Sequence, residues 1–377
     1  MYIKFNILKT TITCLEDAIR ELLRQISHME QPVRLNFFGA VDNNAQYMAD
    51  LAQIHDIVSG WYPLSMSPLV GYIAQAPVDC TFAMELQSVP KSLASSLEFK
   101  CVNGARYAVL NGMTAEKMVM SEALCPSSLE LSIEAQSREV FEKLYSILEA
   151  EQMAVKNIDR QWNYIEHITR CEHDLQHYQV FNDVRSEYYS HTEWTSGYPA
   201  ATGIGTVAGG IIIEIDAATL RNTRTVALDN SLQIAAHEYS KSVLLGEATQ
   251  KSTPKFERAR AIVYQSIFGD REAMIYISGT AAIRGELSLL DMGIADQTRI
   301  TLENIAYLIG LENLEKHGIE PQRLPVLKYM RVYLKYAKDF VAAREVVSRI
   351  HPTIPALYVV SDVCRDELLI EIEGLAE

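Results

Sequence analysis

The sequence predicts an α+β protein with more than one domain, and three observations lead to this prediction. The chain has 377 residues and is therefore too long for a single small hydrophobic core. Its composition, 48% hydrophobic and 22% charged, is typical of a soluble globular protein. Apolar runs of strand length also alternate with stretches in which apolar residues recur at helical spacing. Strands and helices mixed in this way are typical of sheets that are covered by helices.

The first part of the chain, residues 1–152, is predicted to form an N-terminal α+β domain. Residues 16–26 have apolar side chains at helical spacing, with acidic residues early and arginines late, as the helix dipole favours. The apolar run 34–41 predicts a buried strand. Residues 137–150 predict a second amphipathic helix. Because this part contains no catalytic pattern, we expect it to serve as a scaffold.

The second part, residues 153–377, is predicted to form the C-terminal domain. It opens with a strand at 157–168, a helix at 175–189 and a loop at 196–205. After Pro254 the predicted elements are strand 259–264, strand 274–279, helix 296–310, strand 326–334, helix 339–350, strand 356–360 and a closing strand around Glu371. This ββαβαββ order predicts a sheet with helices on one face.

The charge balance argues against polyanions as partners. The chain has 34 basic and 48 acidic residues, so its formal net charge is −14. We therefore expect neither nucleic acid nor an anionic membrane surface to bind it. The most apolar stretch, residues 207–215, is too short to span a bilayer. An anionic small-molecule substrate would have to be bound by a few local arginines, because the overall field repels it.

Cofactor and metal sites are not predicted. The six cysteines form no CxxC pair, so we expect reduced thiols and no zinc site. The glycine-rich stretch 203–210 lacks the GxGxxG spacing of a dinucleotide site. The first residues show no basic region followed by an apolar segment, so no secretory signal is expected. We expect a cytoplasmic protein without a cofactor.

The closing strand carries the most informative pattern in the chain. Side chains alternate along a strand, so Glu371 and Glu373 share one face while Ile370 and Ile372 share the other. A carboxylate pair opposite an apolar face is costly unless it lines a wet cleft or a junction. A half-buried carboxyl group there would have a raised pKa and could donate a proton near neutrality. The alternative is an edge strand with ordinary solvated acids.

The end of the chain resembles the Rid/YjgF superfamily over residues 255–377. The resemblance rests on the ββαβαββ order and on residues 276–280, 297–305, 339–340 and 370–373. It implies a Rid/YjgF-like unit, and small members of that family form trimers with sites in the clefts between subunits. Many members have an arginine fifteen residues before the first glutamate of the closing strand, where this chain has Ala356. That departure argues against plain imine deamination.

A longer resemblance, over residues 155–377, is to the chorismatases, which remove the enolpyruvyl group of chorismate. The matching segments are Trp162–Tyr164, Tyr178–Arg185, Pro199–Ala200, Thr202–Gly205, Phe256–Ala259, Ile277–Ala281, Tyr358, Cys364–Arg365 and Leu368–Glu373. The resemblance implies release of pyruvate and an additional, related α+β domain at the N-terminus. It also implies that Glu371 is the general acid that protonates the enol ether.

The chorismatase resemblance implies roles for further residues. Cys364 and Gly279 resemble the branch that makes 3-hydroxybenzoate, whereas a hydrolytic branch makes a dihydroxycyclohexadiene carboxylate. The predicted substrate-binding residues are Arg185, Arg258, Tyr178, Tyr358, Gly279 and Arg284. Arginines suit the two carboxylates of chorismate, and tyrosine hydroxyls could bind a carboxylate or the ring alcohol. Simpler alternatives remain open, namely a buried structural thiol, arginines at the surface or a helix end, and core tyrosines.

Three departures from the family pattern leave alternatives open. Ala201 stands where the family usually has arginine, Glu286 where it has histidine, and Ile300 where it has glutamate. Either Arg284 replaces the missing arginine or the substrate differs from chorismate. We therefore keep two alternatives beside a chorismatase-like enzyme, namely a Rid-type enamine or imine hydrolase and a non-catalytic ligand-binding protein. A monomer or a small homo-oligomer is expected.

Overall fold

The computed structural model describes residues 3–112, 116–172, 175–219, 224–240, 252–265, 270–289 and 291–377. Within these residues the strands form three main sheets and two short two-stranded ribbons. The main sheets follow one another along the chain, and helices pack on them. The predicted α+β class is confirmed.

The first sheet is formed by residues 4–90 together with two helices. Its elements are β1 (Lys4–Thr10), α1 (Leu15–Arg24), β2 (Glu30–Phe38), α2 (Asn44–Trp61), β3 (Leu69–Ile73) and β4 (Phe82–Pro90). The strand order is β1-β4-β2-β3, with β2 and β3 parallel. Helix α1 lies where the apolar spacing predicts it and buries Ala18, Ile19, Leu22 and Leu23. Asn43 caps α2, because its side chain accepts a hydrogen bond from the backbone N–H of Gln46.

The second sheet is formed by residues 97–219. Its elements are β5 (Leu97–Val102), β6 (Ala105–Asn111), β7 (Lys117–Ser121), α3 (Ile133–Ala150), β8 (Ile158–Glu166), the ribbon of β9 (Cys171–Glu172) and β10 (Leu175–Gln176), α4 (His177–Tyr189), β11 (Ala200–Thr206) and β12 (Ile211–Thr219). The strand order is β11-β8-β12-β7-β6-β5. Helix α3, which was predicted as an amphipathic helix at 137–150, buries Val140, Leu144, Ile147 and Leu148.

The predicted loop at 196–205 is wrong over most of its length, because β11 occupies Ala200–Thr206 and pairs in parallel with β8. Its glycines disfavour a strand by propensity. Tertiary contacts need them there, since a Cβ at Gly203 would lie 2.8 Å from Cε2 of Tyr178. A Cβ at Gly205 would lie 2.8 Å from the carbonyl oxygen of Asp362. The glycines thus allow close approach of other segments.

The third sheet is formed by residues 224–376. Its elements are β13 (Arg224–Leu228), β14 (Ala259–Gln265), β15 (Arg271–Thr280), the hairpin of β16 (Ile283–Arg284) and β17 (Leu287–Ser288), α5 (Ile294–Ile309), α6 (Leu311–Lys316), β18 (Leu327–Leu334), α7 (Phe340–Ile350), β19 (Ala356–Val360) and β20 (Ile370–Ala376). The strand order is β13-β14-β15-β20-β18-β19. The predicted ββαβαββ order is found, with the hairpin and α6 added.

The sheets group the strands differently from the predicted division into residues 1–152 and 153–377. Strands β5, β6 and β7 precede residue 152, yet they share the second sheet with β8, β11 and β12. Strand β12 pairs with β7 on one side and with β8 on the other. The division into two domains therefore stays a prediction, and its boundary lies within one hydrogen-bonded sheet.

The three sheets repeat one arrangement of residues on neighbouring strands. Each sheet has an arginine paired across the ladder with an acidic or amide residue, and a glutamate two positions before that partner. The cross-strand pairs are Arg34 with Gln87, Arg160 with Asp216 and Arg331 with Glu373, and the glutamates are Glu85, Glu214 and Glu371. Glu371 therefore occupies the position in the third sheet that Glu85 and Glu214 occupy in the others.

Buried ion pairs connect the sheets in a closed cycle. The arginine of each sheet pairs with an acid of the next, and each N–O distance is 2.7 Å. These pairs are Arg34–Asp216, Arg160–Glu373 and Arg331–Glu85. All six side chains are buried, and removing one partner of such a pair typically costs about 3–5 kcal/mol. The cycle connects the face of the third sheet that carries Glu371 to the other two sheets.

Candidate active site

A pocket lies where β11 of the second sheet meets β15 and β20 of the third. Its empty volume, including the open mouth, is about 760 Å³. Five of the predicted site residues line it, namely Glu371, Cys364, Tyr178, Arg258 and Gly279. Both sheets belong to the same chain, so one copy of the protein supplies both sides of this pocket.

Glu371 supplies a carboxyl group that is neutral over much of the physiological pH range. Its side chain is buried, with 6% of the residue exposed. Burial and the neighbouring charge of Glu373 raise the pKa of Glu371 to about 8, although Arg258 and Arg160 oppose the shift. Within the described part of the chain no group donates a hydrogen bond to this carboxyl group. By contrast, Glu85 pairs with Arg331, and Glu214 accepts a hydrogen bond from Asn36 at 2.8 Å.

Gly279 creates the space that the Glu371 carboxyl group occupies. A Cβ atom built on Gly279 would lie 1.8 Å from Oε1 of Glu371, so any side chain at this position would displace the carboxyl group. The backbone N–H of Gly279 donates to Oγ1 of Thr202 at 3.0 Å. Arg160 donates to the same oxygen at 2.6 Å. Thr202 therefore fixes the Gly279 backbone against the carboxyl group.

Glu373, two residues away, stays ionised in a hydrogen-bonded network. Arg160 lies 2.7 Å from it, Arg331 lies 3.3 Å away, and the indole N–H of Trp162 donates to it at 3.0 Å. Although burial opposes ionisation, Arg331 and Arg160 hold the pKa of Glu373 below its usual value, with further help from hydrogen bonds. Two adjacent carboxyl groups whose pKa values are pushed apart are typical of an acid and a structural or stabilising partner.

Cys364 and Tyr178 add two neutral groups to the pocket. Burial and the nearby Glu371 raise the pKa of the Cys364 thiol to about 12, so the thiol stays protonated. Tyr178 lies in the first turn of α4, and its ring packs on Gly203. Burial, Cys364 and Glu371 raise the pKa of the Tyr178 hydroxyl, which therefore remains a hydrogen-bond donor.

Arginines give the pocket its positive charge. Arg258 donates to the carbonyl oxygen of Ile234 at 2.8 Å and to the hydroxyl of Tyr239. Arg365, which also lines the pocket, donates to the carbonyl oxygen of Glu286 at 2.8 Å. As far as the structure describes the chain, neither guanidinium forms an ion pair with a carboxylate. With Glu371 neutral, the pocket is suited to an anionic ligand.

Arg185 lies behind the pocket wall. It donates to Oδ1 of Asn182 at 2.5 Å, and Asn182 lines the pocket. Its guanidinium carbon lies 5.5 Å from the ring centroid of Phe181, and its Nε has no hydrogen-bond partner. No carboxylate among the described residues pairs with this buried cation, so a bound anion would lower its desolvation cost.

The structure places two predicted substrate-binding residues away from the pocket. Tyr358 pairs across the ladder with Val332, which pairs with Ile372, so it lies on the face opposite Glu371. Its ring packs edge-on against Phe340 of α7, with 5.2 Å between the centroids. Side chains alternate between the two faces of a strand, and a match of single residues does not show which face a side chain occupies. The resemblance therefore could not indicate that Tyr358 lies on the face away from the pocket.

Arg284 also points elsewhere. It donates to Asn304 and lies 3.4 Å from the Glu303 carboxylate, both on α5. Its hairpin neighbour Ile283, by contrast, lines the pocket. Arg284 therefore does not replace an arginine at position 201, and among the described residues the cations that line the pocket are Arg258 and Arg365.

The departures from the family pattern fall in different environments. Ala201 lines the pocket, and its backbone N–H donates to the Ser278 hydroxyl at 2.9 Å. Ile300 is a buried residue of α5. Ala356 lies in β19, where its carbonyl oxygen accepts a hydrogen bond from Lys9, and it does not line the pocket. Of these three positions, only Ala201 lines the pocket.

Sequence reasoning missed Tyr239 and gave Arg365 no role. Arg365 directly follows Cys364 in a segment that matches the chorismatases, so the signal was present. Tyr239 lies in a stretch without apolar periodicity, and only the fold brings it to Arg258. In the described ranges no cluster of three potential ligands could hold a metal ion. Among the same residues no helix has both the length and the apolar character needed to cross a membrane.

Comparisons with known proteins point to one family. The family model described as "Chorismatase FkbO/Hyg5-like, N-terminal" matches residues 103–217. A 3-hydroxybenzoate synthase from Streptomyces hygroscopicus is 30% identical over 243 residues, which cover 63% of this chain and 68% of that protein. A chorismatase from Streptomyces rapamycinicus is 31% identical over 226 residues, covering 58% and 64% respectively. The aligned part thus spans about two thirds of these relatives.

The fold comparison covers the whole chain. A chorismatase crystal structure superimposes with a TM-score of 0.75 at 20% sequence identity, covering 100% of this chain and 98% of that one. The likeness shows a shared fold over all three sheets. Together with the 30% identity to a relative of which two thirds are covered, it shows that this chain belongs to the chorismatase family.

Proposed function

We propose that this protein cleaves the enolpyruvyl ether of chorismate and releases pyruvate, with Glu371 as general acid. One observation carries the proposal, namely a neutral buried carboxyl group in a pocket that Arg258 and Arg365 also line. Chorismate carries two carboxylates and an acid-labile enol ether, which correspond to these two features. The names of the relatives from both Streptomyces species support the same substrate.

The chemistry needs a proton on carbon. Glu371 donates its proton to the terminal methylene carbon, and the electrons of the C=C bond form the new C–H bond. The ether carbon becomes an oxocarbenium ion, and in the hydrolytic branch water attacks it to give a hemiketal. Collapse of the hemiketal yields pyruvate and the ring alcohol, and a proton returns to Glu371. General acid catalysis of this kind contributes about 10²–10⁴-fold.

The arginines of the pocket would bind the two carboxylates of the substrate. Arg258 and Arg365 line the pocket, and each can bind a carboxylate through two parallel N–H donors. Arg185 adds positive potential from behind Asn182. Tyr178 is a donor for a carboxylate or for the ring hydroxyl. The pocket would thereby hold the dianion while Glu371 stays protonated.

For the product, 3-hydroxybenzoate is favoured over the dihydroxycyclohexadiene carboxylate. The overall conversion of chorismate to 3-hydroxybenzoate and pyruvate consumes no net water, because the neighbouring ring hydroxyl can capture the oxocarbenium ion and lose its proton. Loss of the proton from the ring carbon that bears the ether then breaks the adjacent C–O bond and makes the ring aromatic. The oxygen of that bond stays on the pyruvyl carbon, and the resulting hemiketal collapses to pyruvate and 3-hydroxybenzoate, whose phenolate takes up a proton. The protonated Cys364 thiol beside Glu371 and the glycine at 279 support this branch. Chromatography of the products separates the two outcomes, and a dominant diene acid would refute the assignment.

A pyruvate assay tests the activity directly. Purified protein with chorismate should release pyruvate, detected by coupling to lactate dehydrogenase. A Glu371→Gln variant should bind chorismate but lose turnover by at least about 10²-fold, since the amide cannot donate the proton. Glu303→Gln, a surface substitution on α5, is the matched control and should retain the wild-type rate.

The same purified protein discriminates the alternatives. An enamine or imine hydrolase would act on an imine in a semicarbazide-trapping assay and leave chorismate intact. A ligand-binding protein would bind chorismate in calorimetry without pyruvate release. Either result, or wild-type turnover by Glu371→Gln, would refute the proposed function.

A further inference from the structure

Two arginines of the pocket share the ring of Tyr239. The guanidinium carbon of Arg258 lies 5.5 Å from the ring centroid, and that of Arg365 lies 5.2 Å from it. The Tyr239 hydroxyl also accepts a hydrogen bond from Arg258. An aromatic face attracts cations at these distances. Tyr239 therefore links two like charges that would otherwise repel each other.

Glu286 holds this arrangement from the turn of the β16–β17 hairpin. Its carboxylate accepts two hydrogen bonds at 2.7 Å from Ser240, one from the backbone N–H and one from the hydroxyl. Its backbone carbonyl accepts the hydrogen bond from Arg365. One residue thus contacts both the neighbour of Tyr239 and the second arginine.

The hairpin turn and the segment before Tyr239 are joined by backbone bonds as well. The N–H of Gly285 donates to Leu232 at 2.9 Å, and the N–H of Ile234 donates to Gly285 at 2.8 Å. Gly285 has a φ of +60°, the left-handed conformation that glycine adopts readily. The Glu286 side chain adds a contact with Ser240, so the hairpin turn is bonded to this segment at position 240 as well as at position 234.

We propose that Glu286 and Tyr239 are positioning residues that set the spacing of Arg258 and Arg365. That spacing selects a ligand with two carboxylates over a ligand with one. A dicarboxylate gains from both guanidinium groups only when their separation matches its own, whereas a monocarboxylate needs only one of them. The inference rests on the proposed function, because it concerns the substrate class of the same pocket.

Calorimetry with two unreactive aromatic probes tests this selection. The probes are 3-(carboxymethoxy)benzoate, with two carboxylates, and 3-methoxybenzoate, with one. Wild type should prefer the dicarboxylate. Glu286→Ala should weaken dicarboxylate binding by about 5–10-fold and monocarboxylate binding by less than about 2-fold, since the loss of one coupled contact acts mainly on the bidentate ligand. Tyr239→Leu should act in the same direction, and Tyr239→Phe should act less strongly.

Further variants separate positioning from a general structural effect. Glu286→Gln keeps one oxygen that can accept from Ser240 and should recover part of the dicarboxylate affinity. With chorismate, Glu286→Ala should raise KM more than it lowers kcat. Glu303→Ala removes a partly exposed glutamate on α5 and is the control.

Three results would overturn the inference. These are equal affinity of wild type for both probes, unchanged dicarboxylate affinity in Glu286→Ala and Tyr239→Leu, or equal weakening for both probes. Thermal unfolding of each variant confirms that it is folded. If wild type selects the dicarboxylate but releases no pyruvate from chorismate, the proposed function fails while the positioning role stands.

Discussion

Replacing Gly279 with alanine should abolish most activity while leaving the fold intact. The new Cβ would lie 1.8 Å from Oε1 and 2.8 Å from Cδ of Glu371. Because normal van der Waals contact needs more than 3.4 Å, the carboxyl group must move by more than about 1 Å. A misplacement of about 1 Å at a reacting group can cost about 10²-fold in rate. The carboxyl group is the far end of a flexible side chain, so the stability cost should be small.

The assay is pyruvate release from chorismate, with thermal unfolding measured in parallel. Gly60→Ala is the matched control, because no atom lies within 4 Å of its new Cβ and the position is in helix α2. Alanine should stabilise that helix by up to about 1 kcal/mol without affecting turnover. A Gly279→Ala variant with wild-type turnover would refute the close contact between Gly279 and Glu371. Loss of folding in this variant would show that the position serves the core more than the pocket.

Four more predictions concern charge and pH. Turnover should fall as pH rises through about 8, because Glu371 must carry its proton, and a pH–rate profile checks this. A raised native pKa means that the folded state binds the proton more tightly, so wild-type stability relative to Glu371→Gln should decline from about pH 4.5 to about pH 8. Arg331→Met should lower the free energy of unfolding by about 3–5 kcal/mol in urea titrations, because it leaves Glu85 buried without a cation. An unchanged free energy of unfolding would argue against the ion-pair cycle. Arg185→Leu should raise KM for chorismate several-fold whereas Arg284→Leu should not, and equal effects would contradict their placements.

Local patterns predicted the third sheet well. Alternation of Glu371 and Ile372 predicted which face of β20 carries the carboxyl groups, and the helices predicted at 296–310 and 339–350 are found as α5 and α7. These features depend on neighbours in sequence. The glycine-rich β11 was predicted as a loop because its reasons for being a strand, the ring of Tyr178 and the carbonyl of Asp362, come from distant segments.

The sequence predicted only part of the candidate site, because contacts between distant segments also decide which residues line the pocket. Glu371, Cys364 and Gly279 come from motifs that match the family, and the fold brings them together. Tyr358 and Arg284 match or neighbour such motifs, yet the face of the strand and the direction of the hairpin place them elsewhere. The ion-pair cycle joins residues more than 180 positions apart, so no local pattern could reveal it.

The protonation state of Glu371 tests the central claim most directly. Carboxyl ¹³C-NMR titration of labelled protein, with the resonance assigned by its absence in Glu371→Gln, gives the pKa of this one group. The account predicts a carboxylic acid at pH 7 that titrates near pH 8. A titration midpoint near the ordinary value of about 4.3 for a glutamate would contradict it.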